Sequence, residues 1–369
     1  MNRLFRWDQM GLFLLALAAG ILPFAVPEVC AAALREGLTL CSGPLLLSLF
    51  PFLVVSRLLI QCPESDLLAL PFRLAAWGIG IRTPCAARVL CIGFLGGFAP
   101  AASAAAQAVR TGQLTAEEAD ALLLACICSG PSFVVLTVGQ SLLGSAELGV
   151  LLFASQITAN YLTAALLNRF AGVRSVKPRS AAPASPAPPR LDEILADAAI
   201  TYCKLCGFIL FFRMLAAGAG ALLPAGAGTL CAILLEVCSG CDLASRTGRW
   251  GSLLCCAALS VQGLSVLLQV RTICPPEMTL RPLYRSRMLH LPLSLALFYL
   301  LLPGGEADVF STLSARVLLM RRVPPDCALL VFAVCCMAAC TLRSGIRQVE
   351  QKQMARNAGG CCINSKTLL

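Results

Sequence analysis

Uncharged stretches of membrane-spanning length recur along this chain: Met10–Val26, Gly37–Ser56, Ala121–Ala146, Leu148–Asn168 and Gly251–Val270. Each is near the ~20 residues that a helix needs to cross hydrocarbon. Inside a bilayer every backbone N–H and C=O must be satisfied by the protein, which leaves only helices and closed barrels. No segment alternates apolar and polar residues as a barrel strand would. The sequence therefore predicts an all-α, polytopic integral membrane protein. Its composition, 58% hydrophobic and 13% charged, fits; a soluble domain carries about 25% charged residues.

The net charge of +10 does not point to nucleic acid, because the basic residues collect in a few places where they would orient the chain. Arg3 and Arg6 open it. Arg169, Arg174, Lys177, Arg179 and Arg190 surround its middle. Arg271, Arg281, Arg285 and Arg287 form a later basic loop, and Arg343, Arg347, Lys352, Arg356 and Lys366 lie in the tail. The positive-inside rule puts all of these, and both termini, in the cytoplasm of a multi-pass cell-membrane protein. The start of the chain has the pattern of a signal peptide, but the spans that follow favour an uncleaved first helix.

The pattern of breaks and charges divides the chain. Residues 1–36 read as an N-terminal transmembrane helix and 37–170 as a first membrane half. A Pro-rich linker follows at 171–192, then a second half at 193–345 and a basic tail at 346–369. Helices are expected over Met10–Pro27, Leu38–Ile60, Leu148–Asn168, Ile194–Leu223, Gly251–Val270 and Cys327–Leu342. Thr115-Ala-Glu-Glu118 has the form of a capping box and starts a helix that meets Gly130-Pro131, where the ladder should break. Val89–Val109, rich in Ala and Gly, reads either as a re-entrant hairpin or as a close-packed helix using Gly93-x-x-x-Gly97. Gly226–Cys241 reads as a second re-entrant stretch. The total is about eight transmembrane helices plus two hairpins.

One charge is repeated. Arg57 in Pro51-Phe-Leu-Val-Val-Ser-Arg-Leu-Leu59 matches Arg213 in Gly207-Phe-Ile-Leu-Phe-Phe-Arg-Met-Leu215, without a gap. A charge within an apolar helix is costly and marks function by default; repeated in two halves, it points to the inverted repeat of secondary transporters. The alternative is two snorkelling arginines in similar helices. Glu236, in Ala232-Ile-Leu-Leu-Glu-Val237, must pair or bind something. Proton or cation coupling, a substrate hydroxyl and an ion pair with Arg213 are the options. The expected pathway comprises Glu236, Arg213, Arg57, Ser129, Gly130, Pro131, Ser132, Ser239, Gly240, Gln262, Gly263 and Gln269. Gln140, Gln156, Asn160, Asp242 and Ser260 are further polar groups near the breaks.

Enzyme chemistry has no motif here: there is no phosphate loop and no His-Glu-x-x-His, and the one histidine, His290, sits beside a basic loop. Neither a catalytic residue, a cofactor nor a metal is expected. The 21 cysteines lie mostly in apolar runs, where cysteine serves as a small hydrophobe. Cys203-x-x-Cys206 and Cys238-x-x-Cys241 lack the loop setting of a zinc site.

Several motifs resemble a known family. Thr115-Ala-Glu-Glu-Ala119, Cys128-Ser-Gly-Pro-Ser-Phe133 and Val138-Gly139 look like the nucleoside-recognition, or Gate, domain. Gly207–Phe211, Leu235-Glu-Val-Cys-Ser-Gly240 and Leu259-Ser-Val-Gln-Gly-Leu-Ser-Val266 with Gln269-Val270 extend the likeness to the sporulation integral membrane protein YlbJ family. The resemblance runs from about Leu40 to Val270. It implies a cell-membrane protein of sporulating cells linked to spore cortex formation, with solute held at hairpin tips. It departs from the family at Gly97-Phe-Ala-Pro-Ala-Ala102, where a tyrosine and a second glycine are usual. It departs again at Gln262, where a glycine is expected, and at Leu267, where a histidine is common. The expected partners are the lipid bilayer and a small polar or nucleoside-like solute with a coupling ion. A homo-oligomer or other sporulation membrane proteins complete that set. A non-transporting scaffold for spore-envelope assembly is the competing function.

Overall fold

The computed structural model describes residues 2–61, 69–172 and 190–302, and every regular element among them is helical. In chain order these are α1 (Asn2–Ala25), α2 (Pro27–Ser42), α3 (Pro44–Gln61), α4 (Phe72–Gly78), α5 (Pro84–Gly96), α6 (Phe98–Arg110) and α7 (Ala116–Cys126). A π-helix (Ser132–Leu142) and α8 (Ala146–Ala171) complete the part before the linker. Then come α9 (Leu191–Leu222), α10 (Ala225–Leu235), α11 (Val237–Ser245), a 3-10 turn (Gly248–Trp250), α12 (Gly251–Val261), α13 (Gly263–Ile273) and α14 (Arg281–Leu301). Among the described residues four stretches are long and apolar enough to cross a membrane: Pro27–Leu47, Ala146–Ala171, Leu191–Leu222 and Gly248–Ile273. These are the properties of an all-α membrane protein. Most of the linker, the expected helix Cys327–Leu342 and the tail lie outside the described residues.

α9 is the spine. Its 32 residues extend about 48 Å at 1.5 Å per residue, well beyond the ~30 Å of hydrocarbon. α2 and α3 lie against it as one bent path running the opposite way. Gly37 lies against Leu210 and Arg213, the Tyr202 hydroxyl donates to the Cys41 carbonyl, and Arg57 reaches Asp197. The bend falls at Gly43-Pro44, where the proline has no N–H to continue the ladder. α2 fills the interval expected to separate two helices and runs through the expected boundary at residue 36. Pro27 opens it and Glu28 occupies its first turn, both favourable at a helix N-terminus.

The rest of the chain follows one order twice. α5 and α6 pack together as a hairpin, α7 passes through a break into the π-helix, and the long α8 follows. After α9, α10 and α11 pack as a hairpin, α12 passes through a break into α13, and α14 follows. The first hairpin lies at the centre because seven of the 13 residues of its second arm are alanine. Ala99, Ala101, Ala102, Ala104, Ala105, Ala106 and Ala108 are all buried, and side chains this small let neighbouring helices approach from every side. The capping box forms as the sequence indicates: the Glu118 N–H donates to Thr115 Oγ1 at 3.1 Å, and the Thr115 N–H to Glu118 Oε2 at 3.1 Å. Glu118 also accepts from Thr83 Oγ1 at 3.0 Å, which ties the start of the hairpin to the start of α7.

Candidate functional site

Each hairpin apex is seated on the break of the helix that follows it. Gly97 links α5 to α6 at φ 81°, ψ −164°, a conformation essentially reserved for glycine. A Cβ there would stand 2.6 Å from the Gly130 nitrogen, so backbone touches backbone where α7 is broken. In the second hairpin Glu236 is the linking residue, extended at φ −152°, ψ 125°. It sits on Gly263, where a Cβ would stand 3.0 Å from the Glu236 nitrogen. Gly263 has φ 70° and its neighbour Gln262 φ 67°. Gln262 thus occupies a left-handed conformation, costly for a side chain-bearing residue.

The Glu236 carboxylate is 1% exposed. It accepts from the Cys238 N–H at 2.8 Å and the Ser239 N–H at 2.7 Å, and so caps α11 from within the apex. Negative charge at a helix N-terminus is stabilised both by these free amides and by the helix dipole. The first apex has glycine in the same place, and α6 has no side-chain cap.

A cavity of about 50 Å³ lies between the two apices and is lined by Gly96, Ser129, Gly130, Ser132, Glu236 and Gln269 among others. Ser129 Oγ and Gln269 Oε1 are buried there without a hydrogen-bond partner, and Ser239 Oγ, one turn into α11, is likewise unpartnered. Buried polar atoms without partners are uncommon and call for an explanation. The space suffices for a few waters, each needing at least ~10–15 Å³.

Of the expected pathway residues, the structure brings Ser129, Gly130, Ser132, Glu236 and Gln269 together, with Gly263 against the same apex; Pro131, Ser239, Gly240 and Gln262 belong to the adjoining turns. Arg57 and Arg213 are not in the lining. Arg213 does not pair with Glu236: its Nη2 donates to Glu36 Oε2 at 2.7 Å. Arg57 Nη1 donates to Asp197 Oδ2 at 2.6 Å. Each guanidinium side chain is 11% exposed, and the partners are 59% (Asp197) and 66% (Glu36) exposed. Each arginine thus takes its carboxylate from the opposite side of the linker. The pairing follows from the antiparallel packing of α2–α3 on α9.

Other polar groups expected near the breaks are not in the lining of this cavity. Gln156 Nε2 donates to Ser260 Oγ at 2.9 Å and Ser294 Oγ at 3.1 Å. Asn160 Nδ2 donates to the Ile127 carbonyl at 3.1 Å. Asp242 pairs with Arg246 at 2.6 Å, and Gln140 is exposed. The expected basic loop at Arg281–Arg287 is the first two turns of α14. Arg287 and His290 are buried, not solvated.

Arg287 is the residue that sequence reasoning missed. Its guanidinium donates to the Ile127 carbonyl at 3.4 Å, the Ser260 carbonyl at 3.5 Å and Asn160 Oδ1 at 3.1 Å. Ile127 begins the first break, and Ser260 lies two residues before Gln262 at the second. Carbonyls around two interrupted helices make a polar hole that a planar, five-donor group fits. The available signal was the polar stripe Arg287, His290, Ser294, spaced at i, i+3 and i+7 on an otherwise apolar run.

Among the described residues no cluster of three or more His, Cys, Asp or Glu side chains could hold a metal. Compared with family models, curated proteins and solved structures, the chain matches none.

Proposed function

We propose that this chain is a membrane protein of sporulating cells, built on an inverted repeat, that works as a permease for a small polar or nucleoside-like solute. The observation that carries the reading is the doubled seat: Gly97 on Gly130 and Glu236 on Gly263, with one cavity between them whose largely apolar lining carries Ser129, Ser132, Glu236 and Gln269. Secondary transporters place their sites in this way, at interrupted helices near the repeat interface. If both hairpins re-enter, the crossings are α1, α2–α3, α7 with the π-helix, α8, α9, α12–α13 and α14. Cys327–Leu342 would supply the last of about eight. From a cytoplasmic start, this path returns the linker, the Arg281 end of α14 and the tail to the cytoplasm, in accord with their charge, and leaves the basic stretch Arg316–Arg322 as the exception. It also makes the Arg57 and Arg213 helices cross in opposite directions. The likeness of Cys128–Phe133, Leu235–Gly240 and Leu259–Val266 to the YlbJ and Gate sequences supports the sporulation role.

The test is Glu236→Gln in a sporulating host, with heat-resistant spores counted and the membrane level of the protein measured. Lost spores at a normal protein level are expected. Normal spore counts would remove Glu236 from the mechanism.

The scaffold reading draws on a different observation: the cavity is only about 50 Å³, and the carboxylate oxygens of Glu236 are already engaged by amides. It predicts that Ser129→Ala, Gln269→Ala and Glu236→Gln all sporulate normally.

A further inference from the structure

A second cavity, of about 160 Å³, opens where the ends of α3 and α6 meet the first third of α9. Arg57, Arg110 and Lys204 line it with a single carboxylate, Asp197, and with the polar groups of Gln107 and Thr201. Leu205, also in its lining, lies four residues before Ile209, which lines the Glu236 cavity, so the two linings come within about 6 Å of each other along the helix axis.

The charges here do not balance. Asp197 is already taken by Arg57 at 2.6 Å, and Arg57 Nη2 also donates to Thr201 Oγ1 at 3.3 Å. Arg57 Nε is buried without a partner. Neither Arg110 nor Lys204 has a carboxylate within salt-bridge distance among the described residues. The matching pair at the other end of α9 provides an internal comparison. Arg213 meets Glu36 one to one at 2.7 Å, and its Nε, like that of Arg57, is buried without a partner. This end of α9 carries two further cations in the cavity lining, Arg110 and Lys204, both of them exposed. Excess positive charge beside a polar hollow, at the end of α9 that follows a basic linker, calls for an anion. Arginine and lysine together, with hydroxyl and amide groups around them, suit phosphate oxygens.

We propose that this cavity is a binding site for a phosphate-bearing anion, held by Arg110 and Lys204 with Arg57 as its floor. A free phosphate and the phosphate of an anionic lipid share this chemistry.

The test uses the full chain purified in a neutral detergent, and reads thermal unfolding and lipids retained in native mass spectrometry. The first probe is inorganic phosphate against equal ionic strength of chloride. The second is phosphatidylglycerol in mixed micelles against phosphatidylcholine. Stabilisation by one probe is expected, with half-saturation weakened about tenfold or more in Arg110→Gln/Lys204→Gln, the loss of two charge-assisted contacts. Arg110→Lys/Lys204→Arg should retain it. A response to phosphate identifies a free anion; a response to phosphatidylglycerol alone, with the lipid retained, identifies a headgroup. The absence of any response, or an equal response in the glutamine variant, overturns the proposal. Unfolding of the unliganded variants, compared with wild type, separates loss of binding from loss of fold.

Discussion

Removing the carboxylate of Glu236 should loosen the second hairpin by a definite amount. The side chain accepts two backbone N–H groups, at 2.8 and 2.7 Å, from a position 1% exposed. Loss of an N-cap costs roughly 0.5–2 kcal/mol, and the interaction of a partly buried charge with the helix dipole adds up to ~2 kcal/mol. With both amides left in a dry apex, Glu236→Ala should cost about 2–4 kcal/mol. Glu236→Asp keeps the charge on a residue that caps well, and should cost about 1 kcal/mol or less. Glu236→Gln leaves one accepting oxygen but turns an NH2 toward an N–H donor, and should fall between them. The assay is denaturant unfolding of the purified chain in detergent, followed by tryptophan fluorescence. Ala and Asp variants equally stable, or both as stable as wild type, would refute the capping argument. The series also sharpens the spore experiment: a carboxylate that serves only as a cap gives spore counts that track stability, with Asp restoring both.

Other changes test other parts of the geometry. Gln262→Gly should be neutral or stabilising, because it relieves a positive φ worth ~1–2 kcal/mol and removes a buried unpartnered oxygen; Gln262→Ala should gain no relief of φ, and thermal unfolding distinguishes the two. Gly97→Ala should cost about 3 kcal/mol or more, seen as loss of folded protein from membranes, because its Cβ would meet the Gly130 nitrogen at 2.6 Å. Asp120 accepts from the Thr279 N–H at 2.9 Å and Oγ1 at 2.8 Å, and holds Leu280 at φ 55°; Asp120→Ala should destabilise by about 2–4 kcal/mol in the same unfolding assay. Arg213→Glu should be defective in membrane accumulation, and adding Glu36→Arg should restore part of it if the pair is as close as 2.7 Å.

What could be read from the sequence, and what could not, divides along physical lines. Apolar length and charge content led directly to an all-α membrane class, and Thr115 with Glu118 to a helix start, because these signals are local. Gly130-Pro131 marked its break through backbone chemistry alone. The break at Gln262-Gly263 was less legible, since glutamine is an ordinary helix residue and its positive φ is imposed by the apex packed against Gly263. Gln156 and Asn160 looked like solute contacts because an amide in an apolar run can serve either purpose; only their partners on other helices decide. Arg287 was assigned to a loop because charges ahead of an apolar segment usually flank a membrane span. The carbonyls that accept its protons come from residues more than a hundred positions earlier, and from Ser260, so no local pattern exposed them.

The crossed arginine pairs have a consequence for assembly. Among the described residues Arg57 pairs with Asp197 and Arg213 with Glu36, so each side of the linker is an incomplete solvent for its own guanidinium. A chain severed between α8 and α9 would yield two fragments, each carrying a mostly buried cation whose counter-charge belongs to the other. Neither should persist alone in a bilayer, yet the two expressed together should find one another. The linker's task is then to fix stoichiometry, while recognition between the halves is written into the helices themselves.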